Sequence, residues 1–257
     1  MQPIFNLQGS HPFLVCSLSD SSETDLISTM RNAVYDGADG FLLHLEKLDP
    51  ACQNREALAR IFSYAENKPV LTVNYRYDHP EIPDETLAAL QLEAVAAGAG
   101  CVDMMGDLFG SSPFELATDP VVVEKQKEYI AAIHAGGAQV MVSSHLWAPI
   151  PTEQMLAQAL EMERRGADIV KIAMKIDTEE QLLEGIRATA LLRDILDKPF
   201  LFIMMGQHGK AHRVMAPVLG SCMVLCVQRY TPRGHKDKPL LRAVRAVYQN
   251  LDYQPTR

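Results

Sequence analysis

The sequence of 257 residues predicts a single (β/α)8 barrel of the α/β class, on the basis of three observations. Eight short apolar runs recur along the chain, most of them roughly 30 residues apart, with amphipathic helical patterns between them. Strands that alternate with helices form parallel sheets, and near-continuous apolar strands are buried on both faces. A length of about 250 residues is typical of this barrel. We therefore expect one domain over residues 1–257, with a short N-terminal extension over residues 1–11.

The predicted strands follow the apolar runs, and the predicted helices follow the segments between them. The strands are 13–18, 40–46, 69–75, 101–105, 138–144, 168–174, 199–205 and 221–227. The helices are 23–36, 84–97, 119–135, 152–165, 178–196 and 238–250. In the helix over 152–165, Met155, Ala159 and Met162 recur on one face, Thr152 is the candidate N-cap and Gly166 ends the helix. The segment 206–220 leaves room only for a short or irregular helix.

Composition and charge exclude several classes of protein. The chain is 47% hydrophobic and 22% charged, as ordinary globular domains are. Its net charge is −8, its pI is about 5.5 and it has no basic block, so we expect no nucleic-acid partner. No apolar run approaches the roughly 20 residues of a membrane span, and the N-terminus lacks the features of a secretory signal. The five cysteines form no CxxC pair, which indicates buried thiols in a reducing cytoplasm.

Polar side chains share one face of several predicted strands. The sets that align are Leu42, His44 and Glu46; Thr72, Asn74 and Arg76; Met141, Ser143 and His145; and Ile169, Lys171 and Ala173. The opposite faces are apolar and are expected to meet the helices, so the polar faces are predicted to point into the barrel. Barrel enzymes keep their active sites at the carboxyl ends of the strands. We therefore expect Lys171 inside the barrel, towards His145, Arg76 and His44.

A buried lysine near a histidine suits imine chemistry on a carbonyl substrate. A desolvated lysine can be a neutral amine at pH 7 and attack a ketone. The iminium acidifies the adjacent C–H, and a histidine can move that proton and deliver it to a leaving hydroxide. Lys171 and His145 are thus candidates for dehydrating a β-hydroxy ketone. No sequence pattern has metal-ligand spacing, so we expect no metal and no cofactor. The alternative is a structural ion pair of Lys171 with Glu46 or Asp103.

One long segment resembles the type I 3-dehydroquinate dehydratase family, whose members form an imine with the substrate. It is VMVSSHLWAPIPTEQMLAQALEMERRGADIVKIAMKIDTEEQLL, residues 140–183, and it carries the Ser-x-His and GADIxKIA motifs of that family. The resemblance continues through FIMMGQHGKAHR (202–213) and the Gly-Ser at 220–221, and is weaker over the rest of the barrel. It implies that Lys171 forms the imine, that His145 is the base, and that Arg213 holds a substrate carboxylate. From its position alone, Arg213 is equally well explained as an arginine on the surface of a helix.

The resemblance also implies a biological setting and a wider binding shell. It implies a small-molecule keto acid as substrate, a place in the shikimate pathway of aromatic amino acid biosynthesis, a cytoplasmic location and a homodimer. The residues expected to bind substrate are Arg213, Arg76, His44, Glu46, Ser221, Gln207 and His235.

Three segments depart from the family pattern. Leu42 and His44 replace a Glu-x-Arg on strand two, Arg76 follows strand three without the Glu-Gly-Gly of the family, and the final loop reads YTPRGHKDKP. Because precisely placed polar groups set specificity, we expect either a diverged dehydratase or an enzyme for another β-hydroxy keto acid. Two further alternatives remain open at this point. One is an imine-forming aldolase that uses the basic loop 233–238 for a phosphate, and the other is a non-catalytic barrel that binds a ligand.

Overall fold

The computed structural model describes residues 11–231 and 236–251, which form an eight-stranded parallel barrel surrounded by helices. The strands are β1 (Phe13–Leu18), β2 (Gly40–His44), β3 (Val70–Val73), β4 (Cys101–Met105), β5 (Gln139–Leu146), β6 (Ile169–Lys175), β7 (Phe200–Met205) and β8 (Met223–Cys226). The helices are α1 (Glu23–Asp36), α2 (Arg55–Phe62), α3 (Asp84–Ala96), α4 (Pro120–Ala135), α5 (Thr152–Arg164), α6 (Glu179–Ile195), α7 (Gly209–Met215) and α8 (Leu241–Tyr248). The predicted fold class is confirmed. The predicted N-terminal extension lies outside the described residues except for His11.

The strands pair in the order β7-β6-β5-β4-β3-β2-β1-β8, and each pairing is parallel. The amide of Cys222 donates to the carbonyl of Phe200 at 2.7 Å, which links the two outer strands of that order. The barrel is therefore nearly closed. As the short segment 206–220 predicts, α7 has only seven residues and continues into the 3₁₀ turn Ala216–Leu219.

Two local predictions differ from the structure. Helix α2 follows an Asn54 cap, whose side chain accepts from the amide of Ala57, and no helix was predicted there. Thr152 is the first residue of α5 rather than its cap, because its hydroxyl donates to Glu184 at 2.5 Å while Pro151 stands at the N-cap without a side-chain hydrogen bond. Gly166 does follow the end of α5, with a φ of +106° that favours glycine.

The register of the sheet shows which side chains enter the barrel. Leu42 pairs with Leu71 and His44 pairs with Val73, so Leu71 and Val73 share the inner face with β2. Thr72 and Asn74 point outward, and the amide of Asn74 donates to the carbonyl of Leu87 in α3 at 2.9 Å. The predicted inward orientation of the polar set on β3 is therefore wrong. Helix α3 accepts hydrogen bonds from Asn74 through the Leu87 carbonyl and from Arg76 through Asp84, whereas Tyr75 lines the cavity.

The helices around the barrel have between seven residues, in α7, and 17 residues, in α6. No helix within residues 11–231 and 236–251 is both long and apolar enough to cross a membrane. The inner barrel layers and the helix-facing layers are both packed with buried apolar side chains, so the polar groups inside the barrel stand out by contrast. They concentrate at the carboxyl ends of the strands.

Candidate active site

A cavity of about 160 Å³ opens at the carboxyl ends of the strands. An apolar cavity of about 150 Å³ admits benzene, so this cavity has room for a six-membered ring. Its polar lining consists of His44, Glu46, Lys47, Tyr75, Tyr77, His145, Lys171, Arg213, Asp237 and Lys238. Its apolar lining consists of Leu42, Trp147, Ala173, Ile203, Met205 and Leu225. The cavity has two polar walls, built from different parts of the barrel.

The first wall is centred on Lys171, which is 3% exposed. Its Nζ donates to Oδ2 of Asp103 at 2.7 Å and also to the hydroxyl of Tyr75. The Tyr75 hydroxyl donates to Asp103 Oδ2 at 2.6 Å, and the Ser143 hydroxyl donates to Asp103 Oδ1 at 2.6 Å. Asp103 therefore accepts from three side chains, and they fix the direction of the lysine.

Electrostatics keep this cluster in one protonation pattern. Burial by itself raises the pKa of Asp103, but the charges of Lys171 and His145 and the hydrogen bonds outweigh burial, so the pKa lies below its usual value. Burial, and after it the charge of Asp103, holds the pKa of Tyr75 well above its usual value. Asp103 is therefore a carboxylate, and Tyr75 keeps its hydroxyl proton at neutral pH.

His145 is held beside this cluster by a buried carboxylate. Its ring Nδ1 lies 3.1 Å from Glu115 Oε1, and its backbone amide donates to Oε2 at 2.6 Å. The hydroxyl of Tyr77 also donates to Glu115. Because Nδ1 is engaged, Nε2 is the ring nitrogen left to act on a ligand. The rings of Tyr75 and His145 meet edge to face with centroids 4.8 Å apart, so the Lys171 and His145 clusters adjoin.

Glu115 itself has an unusual backbone. Its φ is +48°, a left-handed conformation that is uncommon outside glycine and that often marks functional sites. Its carbonyl passes so close to Gly106 that a Cβ on that glycine would lie 2.6 Å from the oxygen. The loop after β4 is thus folded in a way that brings a carboxylate back to β5.

The second wall contains Arg213, Asp237 and Lys238. Arg213 is 6% exposed and its Nη2 donates to Asp237 Oδ2 at 2.7 Å. Its Nε and Nη1 are buried and have no hydrogen-bond partner among the described residues. Lys238 is 7% exposed, and its Nζ donates to the hydroxyl of Ser17 at 2.7 Å.

A hydrogen-bonded chain continues from Ser17 along this wall. The Ser17 hydroxyl lies 3.3 Å from Nε2 of His44, whose Nδ1 lies 2.6 Å from Glu46 Oε1. Because Lys238 donates to the hydroxyl, the serine proton is free to point at His44, which leaves the His44 proton on Nδ1 for Glu46. Ser17 on β1 and His44 on β2 thus hold the Lys238 side chain in place through this chain of hydrogen bonds.

The structure places the predicted site residues unevenly. Lys171, His145, His44, Glu46 and Arg213 line the cavity. Three other predicted residues do not line it, and they are Arg76, Gln207 and Ser221. His235 lies outside the described residues.

Each of the three has a physical reason. Arg76 begins the 3₁₀ turn Arg76–Asp78 after β3, where it donates to Asp84 at 2.7 Å and to Asp107 at 2.7 Å. Ser221 precedes β8 and therefore lies at the amino end of the barrel, opposite the cavity. Gln207 is exposed in the loop after β7. None of the three lines this cavity, and their role in binding substrate stays a prediction.

Sequence reasoning missed several residues of the cavity or its support. They are Tyr75, Tyr77 and Glu115, while Asp103 was considered only as a structural partner of Lys171, and Asp237 and Lys238 only as part of the basic loop 233–238. Asp103 had a usable signal, because it stands at the centre of the apolar run CVDMM. Glu115 and Lys238 lie in loops, where no periodicity directs a side chain. Among the described residues, no group of three or more His, Cys, Asp or Glu side chains is arranged to hold a metal ion.

The fold and the position of the cavity define a (β/α)8 barrel of the enzyme type, with its site at the carboxyl ends of the strands. A family model described as type I 3-dehydroquinase matches residues 16–229, and the chain belongs to this family. The predicted family is thereby confirmed. So is the predicted enzyme class, a lyase of the 3-dehydroquinate dehydratase type, and the family supports dehydration of 3-dehydroquinate as the reaction.

Curated relatives and solved structures agree with the family. The chain is 29% identical to the 3-dehydroquinate dehydratase of Methanosarcina acetivorans over 207 residues, which cover 77% of this chain and 78% of the relative. It is 27% identical to the 3-dehydroquinate dehydratase of Salmonella typhimurium over 243 residues, 92% of each chain. A type I 3-dehydroquinate dehydratase structure from Clostridium difficile superposes with a TM-score of 0.80 at 19% identity, over 95% of this chain and 94% of the other. That superposition supports the fold.

Proposed function

We propose that the chain converts 3-dehydroquinate to 3-dehydroshikimate through an imine on Lys171, with His145 as the proton-transfer group. The observation that carries the proposal is the Lys171 side chain, buried inside the barrel and aimed by Asp103 and Tyr75 into a cavity that His145 also lines. Membership of the type I 3-dehydroquinase family supplies the substrate.

Imine formation requires a neutral amine. Asp103 contacts Nζ at 2.7 Å and orients it towards the cavity, while the ammonium proton has to leave to a stronger base or to water, because the low pKa of Asp103 makes it a poor proton acceptor. The free amine then attacks the ketone carbon, and the resulting carbinolamine loses water to give an iminium. The protonated hydroxyl of Tyr75, which also contacts Nζ, orients the amine without itself losing a proton.

Dehydration then needs a base that becomes an acid. His145 Nε2 removes a proton from the carbon between the iminium carbon and the carbon that bears the hydroxyl, and the electron pair moves into the iminium to form an enamine. The enamine expels the hydroxyl, which takes the proton from His145 and leaves as water. Glu115 holds Nδ1 at 3.1 Å and stabilises the imidazolium that forms in between. Hydrolysis of the product iminium releases the enone and regenerates the Lys171 amine.

The substrate carboxylate is expected at the second wall. Arg213 presents two buried donors, Nε and Nη1, that no described residue satisfies. A substrate carboxylate that accepted from one of these donors would form a charge-assisted hydrogen bond, which is stronger than a hydrogen bond between neutral groups. The cavity holds a six-membered ring, so a ketone at Lys171 and a carboxylate at Arg213 can belong to one cyclic keto acid.

Reductive trapping tests the proposal. When the protein is incubated with 3-dehydroquinate and sodium borohydride, we expect the reduced imine to add the mass of one ligand to the intact protein. Peptide mass spectrometry should locate this adduct on Lys171. Without borohydride, the conjugated product should appear in the ultraviolet. Lys175→Met, an exposed lysine at the end of the same strand, should still trap and turn over. An adduct on another lysine would contradict the assignment of Lys171, and turnover by Lys171→Met would contradict the mechanism.

We further propose the setting that the family implies: a step of the shikimate pathway, in the cytoplasm, carried out by a homodimer. The support is family membership. Analytical ultracentrifugation would test the dimer, which should sediment at about twice the mass of the 28.5 kDa chain. A monomer that is fully active would contradict this part of the proposal and leave the chemistry standing.

A further inference from the structure

Lys238 is a second buried lysine in the cavity, and the reaction proposed above gives it no role. It follows β8 in the chain, is 7% exposed and lines the same cavity as Lys171. A buried lysine normally has a charged partner. Among the described residues, the Nζ of Lys238 instead donates to the neutral hydroxyl of Ser17 at 2.7 Å. Burying the Lys238 amine against a hydroxyl therefore costs folding free energy, and a purely structural role would not explain why a lysine stands there.

The support beneath Lys238 holds its amine in place. Ser17 is itself 5% exposed and lies 3.3 Å from His44, which lies 2.6 Å from Glu46. These side chains belong to β1, β2 and the turn that follows β2. A flexible lysine anchored by a buried chain of this kind is preorganised and loses little freedom when a ligand arrives.

The neighbour of Lys238 is a second cation with unused donors. Arg213 Nη2 contacts Asp237 at 2.7 Å, whereas Arg213 Nε and Nη1 are buried without a partner among the described residues. Asp237 shows that a carboxylate fits against this arginine. Arg213 and Lys238 both line the cavity, so a ligand carboxylate bound between them would face both cations.

We propose that Lys238 is a second carboxylate-binding cation beside Arg213, and that it takes up a proton from solvent when the carboxylate binds. The proposal deepens the proposed function, on which it rests for the identity of the substrate. It makes Lys238 a residue that determines binding of the anion, while Lys171 remains the group that forms the imine.

The surroundings of Lys238 favour the neutral amine while the cavity holds no anion. Burial first, and then the charge of Arg213, lower the pKa of Lys238 to about 7. The charged and titratable groups that act on it are Arg213, Asp237, Lys47 and Lys171, with Cys16, Cys226 and, through Ser17, the pair His44 and Glu46. Of these neighbours, Asp237 opposes the shift. A ligand carboxylate would add a second negative charge and raise the pKa, so binding above pH 7 should be accompanied by proton uptake.

Calorimetry with quinate tests the proposal, because quinate has the carboxylate and ring of the proposed substrate but an alcohol in place of its ketone. Titrations at pH 8 in two buffers of different ionisation enthalpy give the number of protons taken up. With a pKa of about 7, we expect close to one proton per quinate bound. Lys238→Met should lose this uptake and weaken quinate binding about 10- to 100-fold, the loss typical of a charged hydrogen bond.

Lys238→Arg is the matched variant, because it keeps the positive charge but cannot be neutral. We expect it to bind quinate within about a factor of three of the natural protein without proton uptake. It also covers the case in which Lys238→Met fails to fold. Lys175→Met, an exposed lysine, should change neither quantity.

Several results would overturn the proposal. They are absence of quinate binding, binding without proton uptake by the natural protein, and uptake or affinity that Lys238→Met leaves unchanged. The trapping experiment separates this inference from the proposed function. If trapping and turnover succeed but proton uptake is absent, only the role of Lys238 fails. If trapping fails but Lys238→Met abolishes proton-linked quinate binding, the carboxylate subsite stands and the reaction is wrong.

Discussion

The two polar walls of the cavity differ in how their buried charges are balanced. On the wall formed by β3 to β6, Lys171 faces Asp103 at 2.7 Å and His145 faces Glu115 at 3.1 Å. On the wall formed by β1, β2, α7 and the loop before α8, Lys238 faces a hydroxyl, and Arg213 keeps two buried donors without a partner among the described residues. The first wall is complete as it stands, and the second is complemented by an anion.

This difference teaches how one pocket can divide its work. Groups that carry out proton and imine chemistry must already be oriented when substrate arrives, because orientation supplies much of a catalytic barrier reduction. Groups that recognise a carboxylate are most selective if their donors stay unsatisfied without it, since a ligand that lacks the carboxylate then leaves them unpaired. The predictions below test each wall by removing the feature that sets it apart.

The largest expected effect is the loss of turnover in Lys171→Met. Without an amine no iminium can form, so kcat with 3-dehydroquinate should fall by about 10⁴-fold or more. Steady-state kinetics with the ultraviolet product signal measure it. Because the variant leaves the buried carboxylate of Asp103 without its counter-charge, circular dichroism has to show a folded protein. The double variant with Asp103→Asn provides a second inactive but balanced form. Substantial activity in either would remove the distinction between the two walls.

The sequence predicted the fold well because the barrel is encoded in repeated local patterns. Predicted strands such as 101–105 coincide with β4, and the helix predicted over 23–36 coincides with α1. Each pattern reports burial on a strand or helix, and eight of them in alternation allow few other architectures. Helix α2 was missed because it has only eight residues and begins after a turn at Pro50–Cys52.

Alternation predicted the site only for side chains on or directly after strands, and Arg213 on α7 was found through the family resemblance instead. Alternation placed Lys171 and His145 correctly, because both lie within β6 and β5. It failed on β3, where polar side chains were assumed to point inward. Tyr75 holds that place, while Asn74 and Arg76 bond to groups outside the barrel. Glu115 and Lys238 come from loops, and Glu115 reaches His145 across 30 residues of chain, which no local pattern reveals.

The ion pair of the first wall should be visible in stability. Asp103→Asn leaves the Lys171 ammonium buried without its carboxylate, and loss of one partner of such a pair costs about 4 kcal/mol. For a chain of this size we expect Tm to fall by about 10 °C. Asp103→Asn with Lys171→Met removes both charges and should recover at least about 2 kcal/mol. Chemical denaturation of the four forms measures the coupling, and strict additivity would show that the pair is not coupled in the fold.

The free energy of unfolding should depend on pH through His212, which lies in α7 beside Arg213 of the second wall. This residue is fully buried in α7, and its Nε2 lies 3.0 Å from the Thr189 hydroxyl. Burial, and after it the charge of Arg213, lower the pKa of His212 to about 4 from 6.5. Since the unfolded chain binds the proton first, the contribution is complete above about pH 6.5 and is lost as the pH falls towards 4.

The loss should be on the order of 3 kcal/mol between pH 7 and pH 4. Urea denaturation at a series of pH values measures it, and His212→Gln, which keeps a donor for Thr189 but does not titrate, should flatten the slope in this range. We therefore expect the change in unfolding free energy between pH 7 and pH 4 to arise from His212 in α7. An unchanged slope in His212→Gln would assign it to other groups.

The smallest of these effects is expected from Glu115→Gln, which alters orientation in the first wall without removing a reacting group. The carboxylate accepts hydrogen bonds from the His145 amide and from Tyr77, and it also contacts the imidazole Nδ1. An amide has one acceptor oxygen, so at least one of these contacts would become donor against donor. The imidazolium would also lose its counter-charge. We expect kcat to fall about 30-fold with KM changed by less than about threefold, because the carboxylate subsite on the opposite wall is untouched.

Glu124→Gln, on the exposed face of α4, is the control and should leave both constants unchanged. A rise in KM without a fall in kcat would mean that Glu115 serves binding, and the division of work between the walls would then be wrong.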